Sequence, residues 1–231
     1  MKKKGIGIAV GLYPTGFTGG GDPSHAIIKI KPDCTADLFI GSADVGQGSK
    51  TVLAQMAAEE LGIGYDQVNV LNRDTDTCPH CAGTIASRVT YATGNAVVNA
   101  AHQVRSILFE VAAKDLNVPT KDLVAQKGKI FIRGSPERSV NIDAIANKAI
   151  YELGKALIGH GSFMRPVSKL DPVTGRIDPF ATLAWTAVQA EVEVDTETGV
   201  VDVLKLTSVV DAGKAINPML VEGQIEGGAV M

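Results

Sequence analysis

The residues best suited to chemistry are a glutamine between two glycines, Gly46-Gln47-Gly48, within residues 44–51. The apolar run at residues 36–40 predicts a strand before this turn, and the apolar spacing of residues 52–61 predicts a helix after it. Glycines let backbone N–H groups approach a ligand closely, and a helix N-terminus attracts anions. The turn therefore favours a site for an anion or a polar cofactor, although such turns are also common without a ligand.

Two later segments carry related chemistry. Ala86, Ser87 and Arg88 precede a long helical pattern, where a hydroxyl, free N–H groups and a cation would suit an oxyanion. In the simpler alternative, Ser87 is only a helix N-cap and Arg88 is half of a surface salt bridge. The third segment, residues 211–228, contains Gln224 directly after a glycine, so its amide has little bulk beside it. A glutamine next to a glycine is also an ordinary surface turn residue.

In this order the three segments resemble the molybdopterin-binding subunit of the molybdenum hydroxylases, the xanthine dehydrogenase and aldehyde oxidase family. The resemblance runs from about Lys4 to Met231. It implies a molybdenum–molybdopterin cofactor, with a dinucleotide form left open, and hydroxylation of a purine, an N-heterocycle or an aldehyde. The residues predicted to bind that cofactor are Gly46, Gln47, Gly48, Ala86, Ser87, Arg88 and Gln224.

The resemblance also predicts an incomplete active site. The family's Gly-Gly-Phe-Gly-Gly and Phe-Arg-Gly loops, and the segment with its general-base glutamate, have no counterpart here. Glu226 does not match that base, so we assign no catalytic residue and expect the isolated chain to be inactive. The expected partners are the rest of the molybdenum subunit, iron–sulfur and flavin (FAD) subunits, and a small-molecule substrate. A carbon monoxide dehydrogenase or hydroxybenzoyl-CoA reductase relative stays open, as does a non-catalytic scaffold, assembly or cofactor-handling chain.

Cys78 and Cys81 form a Cys-x-x-Cys pair, a spacing typical of redox sites and of half zinc sites. No helix pattern starts right after Cys81, as a thioredoxin-like site would need, and no second pair supplies the remaining zinc ligands. We therefore expect no metal site, and the resemblance makes this segment a loop that leads to Ala86 and Ser87.

The elements that position these residues mix strands and helices without repeats. The sequence predicts an α+β fold with mixed sheets and packed helices, like a molybdopterin-binding domain over residues 1–231, with a possible subdivision into about 1–150 and 151–231. Residues 191–205 have the alternation and glycine turn of a β-hairpin. Predicted strands are residues 5–10, 25–30, 36–40, 67–71, 129–132, 156–161, 185–194 and 200–210. Predicted helices are residues 51–61, 94–116, 142–153 and 218–229.

The composition is that of an ordinary soluble chain. With 231 residues, 45% of them hydrophobic, it can bury a sizeable core. A net charge of −3 and no basic patch argue against nucleic acid as a partner. No run reaches the roughly 18 apolar residues of a membrane span. Three cysteines make no secreted disulfide framework, so a cytoplasmic location is expected.

Overall fold

The computed structural model describes residues 1–180 and 182–230. The strands are β1 (Lys2–Pro14), β2 (Ser24–Ile30), β3 (Ala36–Ile40), β4 (Val68–Leu71), β5 (Leu123–Gln126), β6 (Lys129–Ile132), β7 (Ser135–Asn141), β8 (Ile158–Phe163), β9 (Leu183–Asp195) and β10 (Val201–Asp211). The helices are α1 (Ser49–Leu61), α2 (Gly94–Leu116), α3 (Ile142–Asn147) and α4 (Pro218–Val230). Helices and mixed sheets together confirm the predicted α+β class.

The chain divides into two compact units. One consists of Met1–Thr15 with Phe180–Met231, and the other of Gly16–Pro179. The sequence suggested a division near residue 150, whereas this division falls near residue 180 and groups the N-terminal strand with the C-terminal segment. The grouping follows from β1, which pairs with β9 along its whole length. None of the helices in the described residues is long and apolar enough to cross a membrane.

The larger unit contains a four-stranded sheet in the order β4-β3-β2-β8, in which only the β3–β4 pair is parallel. Alternate residues of β2 are buried, including Ala26, Ile28 and Ile30, because α2 packs against that face. Glycines in β8 permit this close packing, since a Cβ at Gly161 would lie 1.9 Å from the carbonyl oxygen of Ala96.

The long helix α2 has the bounds that its apolar spacing predicts. Val97, Val104, Leu108 and Val111 are all buried along one face. A five-residue π-helical turn, Val89–Thr93, precedes it and directly follows Arg88. The helix therefore fixes the C-terminal end of the Ala86–Arg88 segment.

The same unit also carries a small antiparallel sheet, β5-β6-β7, of which the sequence predicted only β6. Strand β5 has four residues and β7 is largely polar, so neither shows the alternation on which prediction depends. The predicted helix 142–153 is α3 followed by a π-helical turn, Lys148–Glu152.

The smaller unit is a three-stranded antiparallel sheet in the order β1-β9-β10, together with α4. The β9–β10 pair confirms the predicted hairpin, with Asp195 hydrogen-bonded to Val200 across the turn. Most residues of β1 and β10 are exposed on both faces of this sheet.

Candidate functional site

The glycine-rich turn joins β3 to α1, as predicted, and it is closed by its own carboxylate. Asp44 accepts hydrogen bonds from the backbone N–H groups of Lys50 at 2.9 Å and Gly46 at 3.0 Å. Burial opposes ionisation of Asp44, but these hydrogen bonds outweigh it and hold the pKa of the carboxyl below its ordinary value. Positive φ angles of 110° and 77° at Gly46 and Gly48 permit the tight path. The chain's own anion therefore caps α1.

Gln47 is bound within the same turn. Its side-chain oxygen accepts from the N–H of Val45 at 2.7 Å, and its amide nitrogen donates to the Ala43 carbonyl at 3.1 Å and to the Ser49 hydroxyl at 3.0 Å. The amide thus shapes the turn from inside. Its contact with a cofactor stays a prediction.

The second motif has an unusual backbone. Ala86 and Ser87 are consecutive non-glycine residues with φ of 50° and 51°. Each such left-handed residue costs about 1–2 kcal/mol, so the surrounding structure must hold the turn. Ser87 is exposed, and its hydroxyl makes no hydrogen bond within the described residues. It does not cap a helix, because the π-helical turn begins after Arg88 and has no side-chain cap.

One carbonyl brings the first two motifs together. The Ala43 oxygen accepts from the Thr84 hydroxyl at 2.7 Å and from the Gln47 amide at 3.1 Å. Beside the two loops the backbone is open, since a Cβ placed at Gly46 or Gly83 would meet no atom within 4 Å. The Gln47 turn and the Ser87 turn are therefore neighbours with free space next to their glycines.

Arg88 differs from both sequence interpretations, because it is fully buried. Its guanidinium donates to the Asp22 carboxylate at 3.1 Å and to the Ser24 hydroxyl at 2.7 Å. It also donates to the carbonyls of Gly83, Asp22 and Pro23 and to the Cys81 sulfur. Each of its nitrogens is thus engaged inside the protein. This arrangement corrects the surface salt bridge and favours a structural role over a direct contact with an oxyanion.

Sequence reasoning missed the partners of Arg88. Asp22 is fully buried and also binds Arg165, with an Nη2–Oδ1 distance of 2.9 Å. Burial alone would raise the pKa of Asp22, but the hydrogen bonds from Arg165 and Arg88 hold it below its ordinary value. The one local signal was a carboxylate directly after the glycine run 19–21. No spacing pattern links residues 22, 88 and 165.

The cysteine pair lies in an irregular loop, as the sequence interpretation expected. The Cys81 sulfur accepts from Arg88 Nη1 at 3.2 Å, whereas the Cys78 thiol donates to the Leu71 carbonyl at 3.4 Å. Burial raises the pKa of the Cys81 thiol, but hydrogen bonds from Gly83 and Arg88 outweigh it and leave that pKa below its ordinary value. Among the described residues, no group of three or more His, Cys, Asp or Glu side chains could hold a metal ion.

The third motif belongs to the smaller unit. Gln224 is exposed on α4, seven positions into a helix that begins at Pro218. The side chain of Asn217 accepts from the Leu220 N–H at 3.2 Å at the start of that helix. Gln224 therefore lies in the second turn and not at the helix start. Whether it meets Gln47 and Ser87 on one ligand stays a prediction.

Comparison with known proteins agrees with the motifs. A family model described as the molybdopterin cofactor-binding domain matches residues 1–231. The chain is 34% identical, over 238 residues, to the nicotine 6-hydroxylase large subunit of Paenarthrobacter nicotinovorans, an alignment covering 99% of this chain and 28% of that protein. It is 31% identical, over 207 residues, to the carbon monoxide dehydrogenase large chain of Afipia carboxidovorans, covering 88% of this chain and 24% of that protein.

The fold leads to the same group of proteins. Quinoline 2-oxidoreductase from Pseudomonas putida 86 superposes with a TM-score of 0.85 at 27% identity, covering 98% of this chain and 29% of that chain. The chain thus spans less than a third of the length of these relatives.

Proposed function

The chain belongs to the family of molybdopterin cofactor-binding domains of the molybdenum hydroxylases, and from that premise we propose that it supplies one part of a molybdenum–molybdopterin site in an enzyme that hydroxylates a purine, an N-heterocycle or an aldehyde. Two of the relatives are named for the N-heterocycles nicotine and quinoline, which favours that substrate class. A cytoplasmic location is part of the proposal.

The residues of the larger unit fit such a group. A pterin with a phosphate tail needs hydrogen-bond donors and backbone that it can approach closely. The exposed Ser87 hydroxyl makes no hydrogen bond in the part of the chain that the structure describes, and Gly46 and Gly83 border open space. The observation that carries the proposal is the Ala43 carbonyl, because it joins the Gln47 and Ser87 turns side by side.

When bound, the cofactor supplies the redox chemistry that hydroxylates an electron-poor carbon. The roles we assign to this chain are binding and orientation. Ser87 donates its hydroxyl and the Ala86–Ser87 backbone presents its N–H groups to the cofactor, while Gln47 fixes the neighbouring turn. Gln224 is proposed as a further contact to the cofactor. No residue here is assigned a proton transfer, so we expect other parts of the molybdenum subunit to supply the general base, and iron–sulfur and FAD subunits to carry the electrons away.

The proposal is tested by measuring molybdenum and pterin in the assembled enzyme for three variants. We expect Ser87→Ala to lower the cofactor content or slow turnover, because losing one oriented donor costs about 1–3 kcal/mol. We expect Gln47→Ala to do the same, because it removes the hydrogen bonds that fix the neighbouring turn. Cys78→Ser is the matched control, since among the described residues the Cys78 thiol bonds to the Leu71 carbonyl and the neighbouring Thr77 hydroxyl, and neither is part of the proposed site. A larger effect from the cysteine than from Ser87 and Gln47 would contradict the assignment.

Two measurements test whether the chain is part of an enzyme or a non-catalytic scaffold. We expect the isolated chain to turn over no purine, nicotinate or aldehyde, and turnover by this chain alone would contradict our proposal. If the assembled protein, produced with ample molybdate, contains neither molybdenum nor pterin, the alternative of a scaffold or assembly chain is correct.

A further inference from the structure

The Ala86–Ser87 turn is held from its C-terminal side by Arg88. The Nη1 of Arg88 donates to the carbonyl of Gly83 at 2.9 Å, so its side chain closes residues 83–88 into a loop around the two left-handed residues. Arg88 is buried directly after the exposed Ser87. The position of the guanidinium therefore decides where the turn can lie.

Asp22 fixes that guanidinium. Its carboxylate lies 3.1 Å from the Nε of Arg88, and its carbonyl accepts from Nη2 at 2.6 Å. Both side chains are completely buried. A cation in such surroundings stays only where a carboxylate and further acceptors replace its water, so the removal of the carboxylate charge would release Arg88 from this position.

Asp22 also reaches the N-terminal side of the turn. Its other oxygen accepts from Arg165 Nη2 at 2.9 Å, and the same nitrogen donates to the Phe17 carbonyl at 2.8 Å. These bonds hold the segment that begins at Gly16, whose N–H donates to the Ala86 carbonyl at 2.8 Å. A Cβ at Gly16 would overlap the Arg165 guanidinium, so the two pack directly together. One carboxylate thus links both supports of the turn.

We propose that Asp22 is a positioning residue for the cofactor: through Arg88 on one side and Arg165 on the other, it keeps the Ala86–Ser87 turn in the left-handed conformation that presents the Ser87 hydroxyl. The inference rests on the proposed function. Because Asp22 is fully buried, we assign it no direct contact with the cofactor.

The first test is Asp22→Asn in the assembled enzyme, read out as molybdenum and pterin per folded chain. We expect a loss of about 10- to 100-fold in cofactor affinity, which is typical when a residue that orients a ligand group is removed. Asp37→Asn is the matched control, because Asp37 is also ion-paired, to Lys31 at 3.2 Å, but lies on the sheet and not beside the turn. Equal cofactor content in folded wild type and Asp22→Asn would overturn the inference.

A second variant covers the case in which Asp22→Asn does not fold. Ser24→Ala removes one acceptor of Arg88, at 2.7 Å, together with the contacts of that hydroxyl to the Thr93 hydroxyl at 3.1 Å and the Cys81 sulfur at 3.7 Å, and leaves the carboxylate and both arginines in place. We expect a loss of cofactor affinity of at least about fivefold, the effect of the Arg88 hydrogen bond alone. Unchanged affinity in this folded variant would contradict positioning through Arg88.

A double-mutant cycle separates positioning from general destabilisation. If Asp22 or Ser24 acts by positioning Ser87, its substitution should lower the cofactor affinity much less in a Ser87→Ala variant than in the wild type. Additive losses of cofactor affinity would mean that these residues act on stability alone, and the inference would be wrong. A wild-type assembly without molybdenum would instead contradict the proposed function, so the two failures are distinguishable.

Discussion

At the scale of single residues, the two predicted contacts of the larger unit are prepared in different ways. The Gln47 amide uses both of its polar atoms inside the turn, so its function is first to fix the backbone of residues 43–49. The Ser87 hydroxyl has no hydrogen-bond partner over residues 1–180 and 182–230, and Ser87 lies on a strained backbone beside Ala86. Strain of this kind is found where a site must present groups in one fixed arrangement.

The strain at Ala86 can be measured directly. Ala86→Gly should raise the free energy of unfolding by up to about 1 kcal/mol, because glycine adopts the left-handed conformation without the steric cost that alanine has there. The larger conformational entropy of glycine in the unfolded chain offsets part of this gain. The matched control is Ala113→Gly in α2, which should lower the free energy of unfolding by up to about 1 kcal/mol, because glycine is unfavourable inside a helix. Chemical denaturation of both variants measures the two changes, and a destabilised Ala86→Gly would show that the turn is not strained.

At the scale of the elements, the start of α1 is set by a carboxylate from its own turn. Asp44 accepts from Gly46 and Lys50, and no acidic residue lies in the first turn of the helix itself. The Gly46–Gly48 turn is therefore stable without a ligand at the helix N-terminus. In our proposal, the donors offered to a cofactor come from the neighbouring Ser87 turn.

This cap predicts a pH dependence of stability. The pKa of the Asp44 carboxyl is lower in the folded chain than its unfolded value of 3.8. The charged cap therefore contributes fully to the free energy of unfolding above about pH 4, and this contribution is lost as the pH falls through the folded pKa. Asp44→Asn should cost about 1 kcal/mol at neutral pH and flatten the fall in stability below pH 4.

Unfolding curves from about pH 2 to 7 measure this effect. Asp76→Asn is the control, because Asp76 is an exposed carboxylate of a loop outside the helix start. If the stability profiles of Asp44→Asn and wild type run parallel through the acidic range, the cap does not act through its charge.

At the scale of the whole molecule, the sheet of the smaller unit carries an exposed apolar face. Ile6, Ile8, Val10 and Leu12 alternate along β1, with Val10 82% exposed. Val10 lies opposite Ala187, and Leu12 opposite Trp185. A continuous apolar face of this kind marks an interaction surface. We expect the rest of the molybdenum subunit to cover it.

The isolated chain should therefore self-associate, through an interface above about 1,000 Å². Val10→Lys should shift it toward the monomer in sedimentation velocity experiments, because it places a charge in the middle of the apolar face. Val173→Lys is the matched control, since Val173 is 90% exposed but lies in a loop of the larger unit. A monomeric wild-type chain, or equal effects of the two lysines, would contradict this prediction.

The sequence by itself determined the features that depend on near neighbours. The Gly46–Gly48 turn, the bounds of α2 and the β9–β10 hairpin follow from glycine positions and from periodicities of 3.6 and 2 residues. Family membership followed from the order of the three motifs, and comparison confirms it. The predicted start of α4 at residue 218 also agrees with the structure, where Asn217 precedes the helix and accepts from the Leu220 N–H.

Only the tertiary structure decided what surrounds Ser87. Asp22 lies 66 residues before Arg88 and 143 residues before Arg165, and no local pattern joins positions so far apart. The Ala43 carbonyl links two loops whose contacting residues are 41 positions apart in the chain. The sequence suggested for Arg88 either a contact with an oxyanion or a surface salt bridge, whereas its burial and its acceptors are consequences of packing. A residue's type tells which bonds it can make, but the fold decides which partners its side chain reaches.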